Sequence, residues 1–99
     1  MSFFEVTSQE IRAKAEMLQE LNQQFRTKSA DLSDKEQSLI SMWEGEAKRA
    51  FHSAYTKDKG QMDVFNQLID QYVAALLEIA QKYEVAERKA VELATARTY

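Results

Sequence analysis

The sequence predicts an all-α fold, an antiparallel helix–turn–helix hairpin that dimerises into a four-helix bundle. The 99 residues include no proline and only two glycines, so little interrupts a helix or builds the turns of a sheet. Apolar residues recur at alternating steps of four and three in both halves of the chain, which is the spacing of one helix face. A lone hairpin buries one stripe from each helix, which rarely stabilises an independent fold, and this favours a dimer.

The first helix is expected to span about residues 8–42 of a single domain that covers residues 1–99. Thr7 and Glu10 fit a capping box, in which the Thr7 hydroxyl accepts a hydrogen bond from the Glu10 amide and the Glu10 side chain reaches back. The seam of this helix has a large apolar row and, four residues after each member, a row that is mostly small or polar. The first row is Ile11, Leu18, Phe25, Leu32 and Leu39, and the second row is Ala15, Asn22, Ser29, Glu36 and Trp43.

The chain is expected to reverse at about residues 43–46, where Gly45 can take the left-handed conformation that ends a helix. A second, longer helix follows over about residues 47–95. Its expected seam is Phe51, Tyr55, Asp58, Met62, Phe65, Ile69, Tyr72, Leu76, Ile79, Tyr83, Ala86, Ala90 and Leu93. Because this helix outruns the first, residues 84–99 are expected to form a projecting helix, a frayed tail or a surface that another molecule covers.

The second helix also carries more apolar residues than one stripe needs. Surface of this kind usually marks an interface, and a twofold homodimer of hairpins is the commonest way to bury it. The candidate dimer-interface residues are Val64, Leu68, Val73, Leu76, Leu77 and Ala80.

Composition argues against several classes of function. A net charge of −3 with mixed signs offers no basic stripe for nucleic acid. His52 is the only histidine and cysteine is absent, so no metal or other cofactor is expected. No glycine-rich loop or cleft accompanies the carboxylates, so an enzyme is not expected. The sequence predicts neither stable membrane insertion nor a cleaved signal peptide.

One motif lies between the two helical seams, and a second lies within the later part of the second seam. Trp43, Gly45, Ala47 and Phe51 fit the pattern Trp-X-Gly-X-Ala-X-X-X-Phe near the middle of the chain, and Tyr83 and Glu87 fit the pattern Tyr-X-X-X-Asp/Glu. By these motifs, its length and its lack of proline, the chain resembles the Trp-X-Gly family of small early-secreted-antigen-like proteins, which are substrates of type VII secretion.

The resemblance implies a secreted protein with a turn motif at Trp43 and Gly45 and an export motif at Tyr83 and Glu87. It implies export without a cleaved signal peptide, a homodimer or a heterodimer with a related protein, and the type VII secretion machinery as a partner. A role as a co-export adaptor stays open. In an antiparallel dimer, Trp43 of one subunit and the export motif of the other would meet at one end.

Other interpretations of the same residues remain open. Trp43 can serve as a core residue that closes the hairpin, and Tyr83 can be the next apolar residue of the seam. The chain can also be half of a heterodimer, a carrier for a larger toxin, or an intracellular coiled-coil adaptor, since the helical seams would look the same.

Overall fold

The computed structural model describes residues 6–96, which form two long antiparallel helices. Helix α1 spans Ser8–Ser41 and helix α2 spans Glu46–Ala96. The resulting rod measures 83 × 16 × 15 Å, and no strand occurs within residues 6–96. The predicted all-α helical hairpin is therefore confirmed.

Helix α1 begins at a side-chain cap. Thr7 has extended backbone angles (φ −90°, ψ 158°), and its Oγ1 accepts a hydrogen bond of 3.1 Å from the Glu10 amide. This bond satisfies one of the four amides that a helix start leaves without an intrahelical partner. The half of the predicted capping box in which Thr7 is the acceptor is formed.

The turn differs from the expectation in where its glycine acts. The last turn of α1 is tightened by bonds from the Met42 amide to the Leu39 carbonyl (3.1 Å) and from the Trp43 amide to the Ile40 carbonyl (3.3 Å). Gly45 has a φ of +99°, as its predicted left-handed conformation requires, but it directly precedes α2. Its carbonyl accepts from the Arg49 amide at 3.4 Å. The two bonds at the end of α1 join residues three apart, as in a 3₁₀ turn, and they end α1 without a left-handed residue. Gly45 therefore lies at the start of α2 and does not end α1.

The two helices meet through small and polar side chains. The buried residues of α1 are Ala15, Asn22, Ser29 and Glu36, which are the first four of the five residues in the second row of the predicted seam. The buried residues of α2 are Asn66, Val73 and Ala80.

One of the two rows of the predicted α2 seam is therefore wrong by one residue. Phe65, Tyr72 and Ile79 were expected in the seam but are 51%, 57% and 43% exposed. One residue corresponds to about 100° around a helix, so these large side chains lie beside the contact. Alanine and amide side chains occupy the centre because they allow two helix backbones to approach closely.

A buried hydrogen-bond network joins the middle of the two helices. Asn22 Nδ2 donates to the Asn66 carbonyl at 3.0 Å, and Asn66 Nδ2 donates to Asn22 Oδ1 at 2.7 Å and to the Asn22 carbonyl at 3.2 Å. Asn22 Nδ2 also donates to Asp70 Oδ1 at 2.8 Å, and Arg26 Nη2 pairs with Asp70 Oδ2 at 2.9 Å. Both amides are satisfied, which buried polar groups require.

A second polar contact lies nearer the turn. The Glu36 carboxylate, whose side chain is 5% exposed, lies 2.6 Å from His52 Nδ1. The two polar contacts tie α1 to α2 at separate points, so they fix the alignment of the helices as well as their proximity.

The two glycines give a paired stability prediction. A Cβ at Gly60, inside α2, would meet nothing within 4 Å, so Gly60→Ala should raise the free energy of unfolding by about 0.5–1 kcal/mol. Gly45→Ala meets equally open space but forces alanine into a positive φ, and it should lower that free energy by about 1–2 kcal/mol. Urea denaturation followed by circular dichroism measures both. Equal effects of the same sign would contradict the assigned backbone conformation of Gly45.

The buried amide pair gives a second prediction. Asn22→Ala removes the Oδ1 atom that accepts one of the two Asn66 Nδ2 hydrogen bonds. It should cost about 1–3 kcal/mol of unfolding free energy, since a buried N–H group is left unsatisfied. Replacing both residues, as Asn22→Leu with Asn66→Leu, should cost less than the sum of the single changes because no orphaned amide remains. Gln23→Ala, at an exposed neighbouring position, is the control. A cost for Asn22→Ala no greater than for this control would refute the role given to the pair.

Candidate functional site

At the end of the hairpin opposite the turn, called the open end below, the predicted export-motif residues lie beside the start of α1. Tyr83 and Glu87 lie four residues apart on α2 and therefore on neighbouring turns of one side. Tyr83 is 36% exposed, and Glu87 is half-buried. The motif thus belongs to the folded hairpin and is not part of a loose tail.

Glu87 makes a contact that its sequence position does not suggest. Its Oε1 accepts a hydrogen bond of 3.3 Å from the backbone amide of Ser8, the first residue of α1. That amide has no partner within its own helix, and a carboxylate is favoured at the positive end of the helix dipole. Glu87 therefore caps α1 from the other helix, and Ser8 joins the site although the sequence analysis did not single it out.

An ion pair lies next to this cap. Arg12 Nη2 is 3.1 Å from Glu84 Oε2, and their side chains are 42% and 51% exposed. Glu84 also lies 3.9 Å from Arg88 one turn later. Exposed pairs of this kind contribute less than about 1 kcal/mol, so they hold the first turn of α1 to α2 only weakly.

The turn motif forms the opposite end of the rod. The rings of Trp43 and Phe51 are tilted by 49° with their centroids 5.7 Å apart, a geometry that aromatic pairs prefer. Trp43 is half-buried, and with Phe51 it lines a shallow apolar groove completed by Leu39 and Met42. The tryptophan closes the tip of the hairpin and still presents part of its ring.

The six candidate dimer-interface residues fall in different environments. Val73 and Ala80 are 6% and 0% exposed, and they are covered within one chain. Leu76 and Leu77 are half-buried, while Val64 and Leu68 are 57% and 41% exposed.

Large exposed apolar side chains gather along one side of the interhelical seam. The rings of Phe25 and Phe65 lie 5.4 Å apart, so the seven-residue rows that contain them meet on this side. We define the apolar face as Leu32, Leu39, Phe65, Leu68, Tyr72 and Ile79, all of which are more than two-fifths exposed. The pair of Arg26 and Asp70 lies on the opposite side, so the hairpin has one apolar and one polar flank.

In the described part of the chain, no group of three or more His, Cys, Asp or Glu side chains is arranged to hold a metal ion. No helix among residues 6–96 combines the length and the apolar character needed to cross a membrane.

A family model, WXG100, described as "Proteins of 100 residues with WXG", matches residues 4–88. No curated protein and no solved structure gives a significant match. The matched region includes the turn motif and both residues of the predicted export motif.

Proposed function

The chain belongs to the WXG100 family, and on this premise we propose that it is a substrate of a bacterial type VII secretion system, exported as a homodimer. The family consists of small helical proteins of the kind associated with type VII secretion. Its members are generally secreted, dimeric and non-enzymatic. In this proposal the protein acts through protein–protein contacts, and the secretion machinery is its partner. Its export does not depend on a cleaved signal peptide.

One observation carries the proposal: the tyrosine motif lies on a folded two-helix end of the same hairpin whose other end is the Trp43 turn. Tyr83 has an exposed edge, and Glu87 is fixed by its bond to Ser8. A side chain held in place loses little conformational entropy on binding. The geometry therefore suits recognition by another protein.

The apolar face supports the proposed homodimer. Its side chains leave a large apolar surface in water, and patches of this kind mark interaction sites. Packing this face against its own copy about a twofold axis would give a four-helix bundle. Of the candidates named from the sequence, Leu68 belongs to this face, whereas the surface of Val73 and Ala80 is already covered by α1. We therefore assign the dimer contact to the apolar face.

The dimer gives a matched pair of variants. The wild type should elute with a mass of about twice the 11.4 kDa of one chain, because two apolar faces bury each other. Tyr72→Glu should yield the single-chain mass, since it sets a charge at a position that is 57% exposed in one hairpin and buried in the dimer. Light scattering coupled to size exclusion measures the mass.

Gln67→Glu is the control for this experiment. It adds the same charge to α2 on the polar flank, where Gln67 lines a groove with Arg26 and Asp70. It should stay dimeric. A wild type that is monomeric at all concentrations would overturn the homodimer and favour a heterodimer with a related protein.

Export gives the direct test of the proposed function. Wild type should accumulate in the culture medium of the native host, whereas Tyr83→Ala and Glu87→Ala should remain in the cells because the recognition surface is lost. Glu92→Ala, which removes an exposed glutamate of α2 outside the motif, should be exported like wild type. Immunoblots of medium and lysate measure the distribution.

Circular dichroism of each purified variant distinguishes lost recognition from lost folding. Folded Tyr83 and Glu87 variants trapped in cells would support export through this motif. Wild type confined to the lysate under secretion-active conditions would refute the proposal and leave the intracellular adaptor.

A further inference from the structure

We propose that the export signal of this protein extends to α1: the backbone amide of Ser8 is a positioning group that holds the Glu87 carboxylate in the geometry that is recognised. This inference rests on the proposed function. It adds a residue outside the Tyr-X-X-X-Glu motif and 79 positions away from Glu87.

The contact between Ser8 and Glu87 depends on the alignment of the two helices. The bond between Ser8 and Glu87 forms at the open end, and the ion pair between Arg12 and Glu84 forms one turn further along α1. The first two turns of α1 are therefore attached to the part of α2 that carries the motif. Of the two contacts, only the Ser8 bond reaches a motif residue.

The bond restricts a side chain that would otherwise be mobile. A glutamate on a helix surface has several rotamers of similar energy. An amide that points along the helix axis selects those in which a carboxylate oxygen meets it, and the charge makes this bond stronger than one between neutral groups. The carboxylate is then presented at a fixed place beside Tyr83.

The consequence is a signal that depends on closure of the hairpin. If the start of α1 detaches from α2, Glu87 keeps its place in the sequence but loses its orientation. A partner that binds the positioned carboxylate and the Tyr83 edge therefore binds the closed hairpin in preference to an opened chain, by the difference in affinity for the two states.

Ser8→Pro tests the proposal without altering the motif. Proline is favoured at the first position of a helix, where its missing amide has no intrahelical role. The extended backbone of Thr7 (φ −90°, ψ 158°) is the conformation that a residue before proline prefers. The variant should therefore fold, lose the amide donor to Glu87 together with the Ser8 hydroxyl, and be exported several-fold less than wild type. Ser8→Ala keeps the amide and should be exported at the wild-type level.

Hydrogen exchange of the Ser8 amide, followed by NMR in the full-length protein, tests the contact itself. The amide should exchange about fivefold more slowly in wild type than in Glu87→Ala, the ratio expected for one net hydrogen bond. Glu87→Gln retains an acceptor oxygen and should keep most of this protection. Equal exchange in wild type and Glu87→Ala would overturn the assigned contact.

The two proposals fail in different ways. If Tyr83→Ala blocks export while a folded Ser8→Pro is exported like wild type, the signal lies in α2 alone and the present inference is wrong. If Tyr83→Ala and Ser8→Pro are both exported like wild type, the proposed export motif is wrong as well. A Ser8→Pro protein that is retained and also unfolded by circular dichroism would contradict the positioning role, because the defect would then be in folding.

Discussion

The reciprocal amide pair of Asn22 and Asn66 sets the alignment on which the other contacts depend. Both side chains are more than nine-tenths buried, and each reaches the backbone carbonyl of the other residue. A slip of α2 by seven residues would move it by about 10 Å and break the side-chain bonds of Asn22 to Asn66 and Asp70, at a cost of about 1–3 kcal/mol for each buried group left unsatisfied. The same slip would carry Glu87 away from Ser8. A polar contact in the middle of the rod therefore determines whether the open end is capped.

Close approach of the helices determines where the large side chains lie. Ala15 and Ala80 are fully buried, and among residues 6–96 no large side chain is fully buried. With small groups at the centre of the seam, Phe65 and Tyr72 have no space there and lie along the flank. The hairpin is thus held by specific polar bonds and small side chains at the seam, and the Phe65 and Tyr72 rings stay more than half exposed and available for association. This explains why the chain is rich in apolar residues and yet has a small core.

The sequence predicts much of this fold and less of the site. The four-three spacing predicts two helices, Thr7 predicts the start of α1, and Gly45 predicts a positive φ in the turn. Hydrophobicity places the Phe65 row in the seam of α2, because a hydrophobic pattern contains no information on the hydrogen bonds that Asn66 makes when Asn22 faces it. The hydrogen bond from Ser8 to Glu87 cannot be predicted from the sequence either, since every residue except proline carries a backbone amide. The motif residues are visible, but the contact that orients Glu87 depends on the folded alignment.

The length of the rod links the proposed dimer to the proposed signal. Trp43 lies at one end and Glu87 at the other, separated by a first helix of 34 residues that is about 50 Å long. One hairpin cannot present both motifs to a single recognition surface of ordinary size. An antiparallel second copy, packed through the apolar face, would set the Trp43 groove of one subunit near the capped end of the other. Dimerisation through Phe65 and Tyr72 would then do more than bury apolar surface, because it would bring the two motifs together at each end.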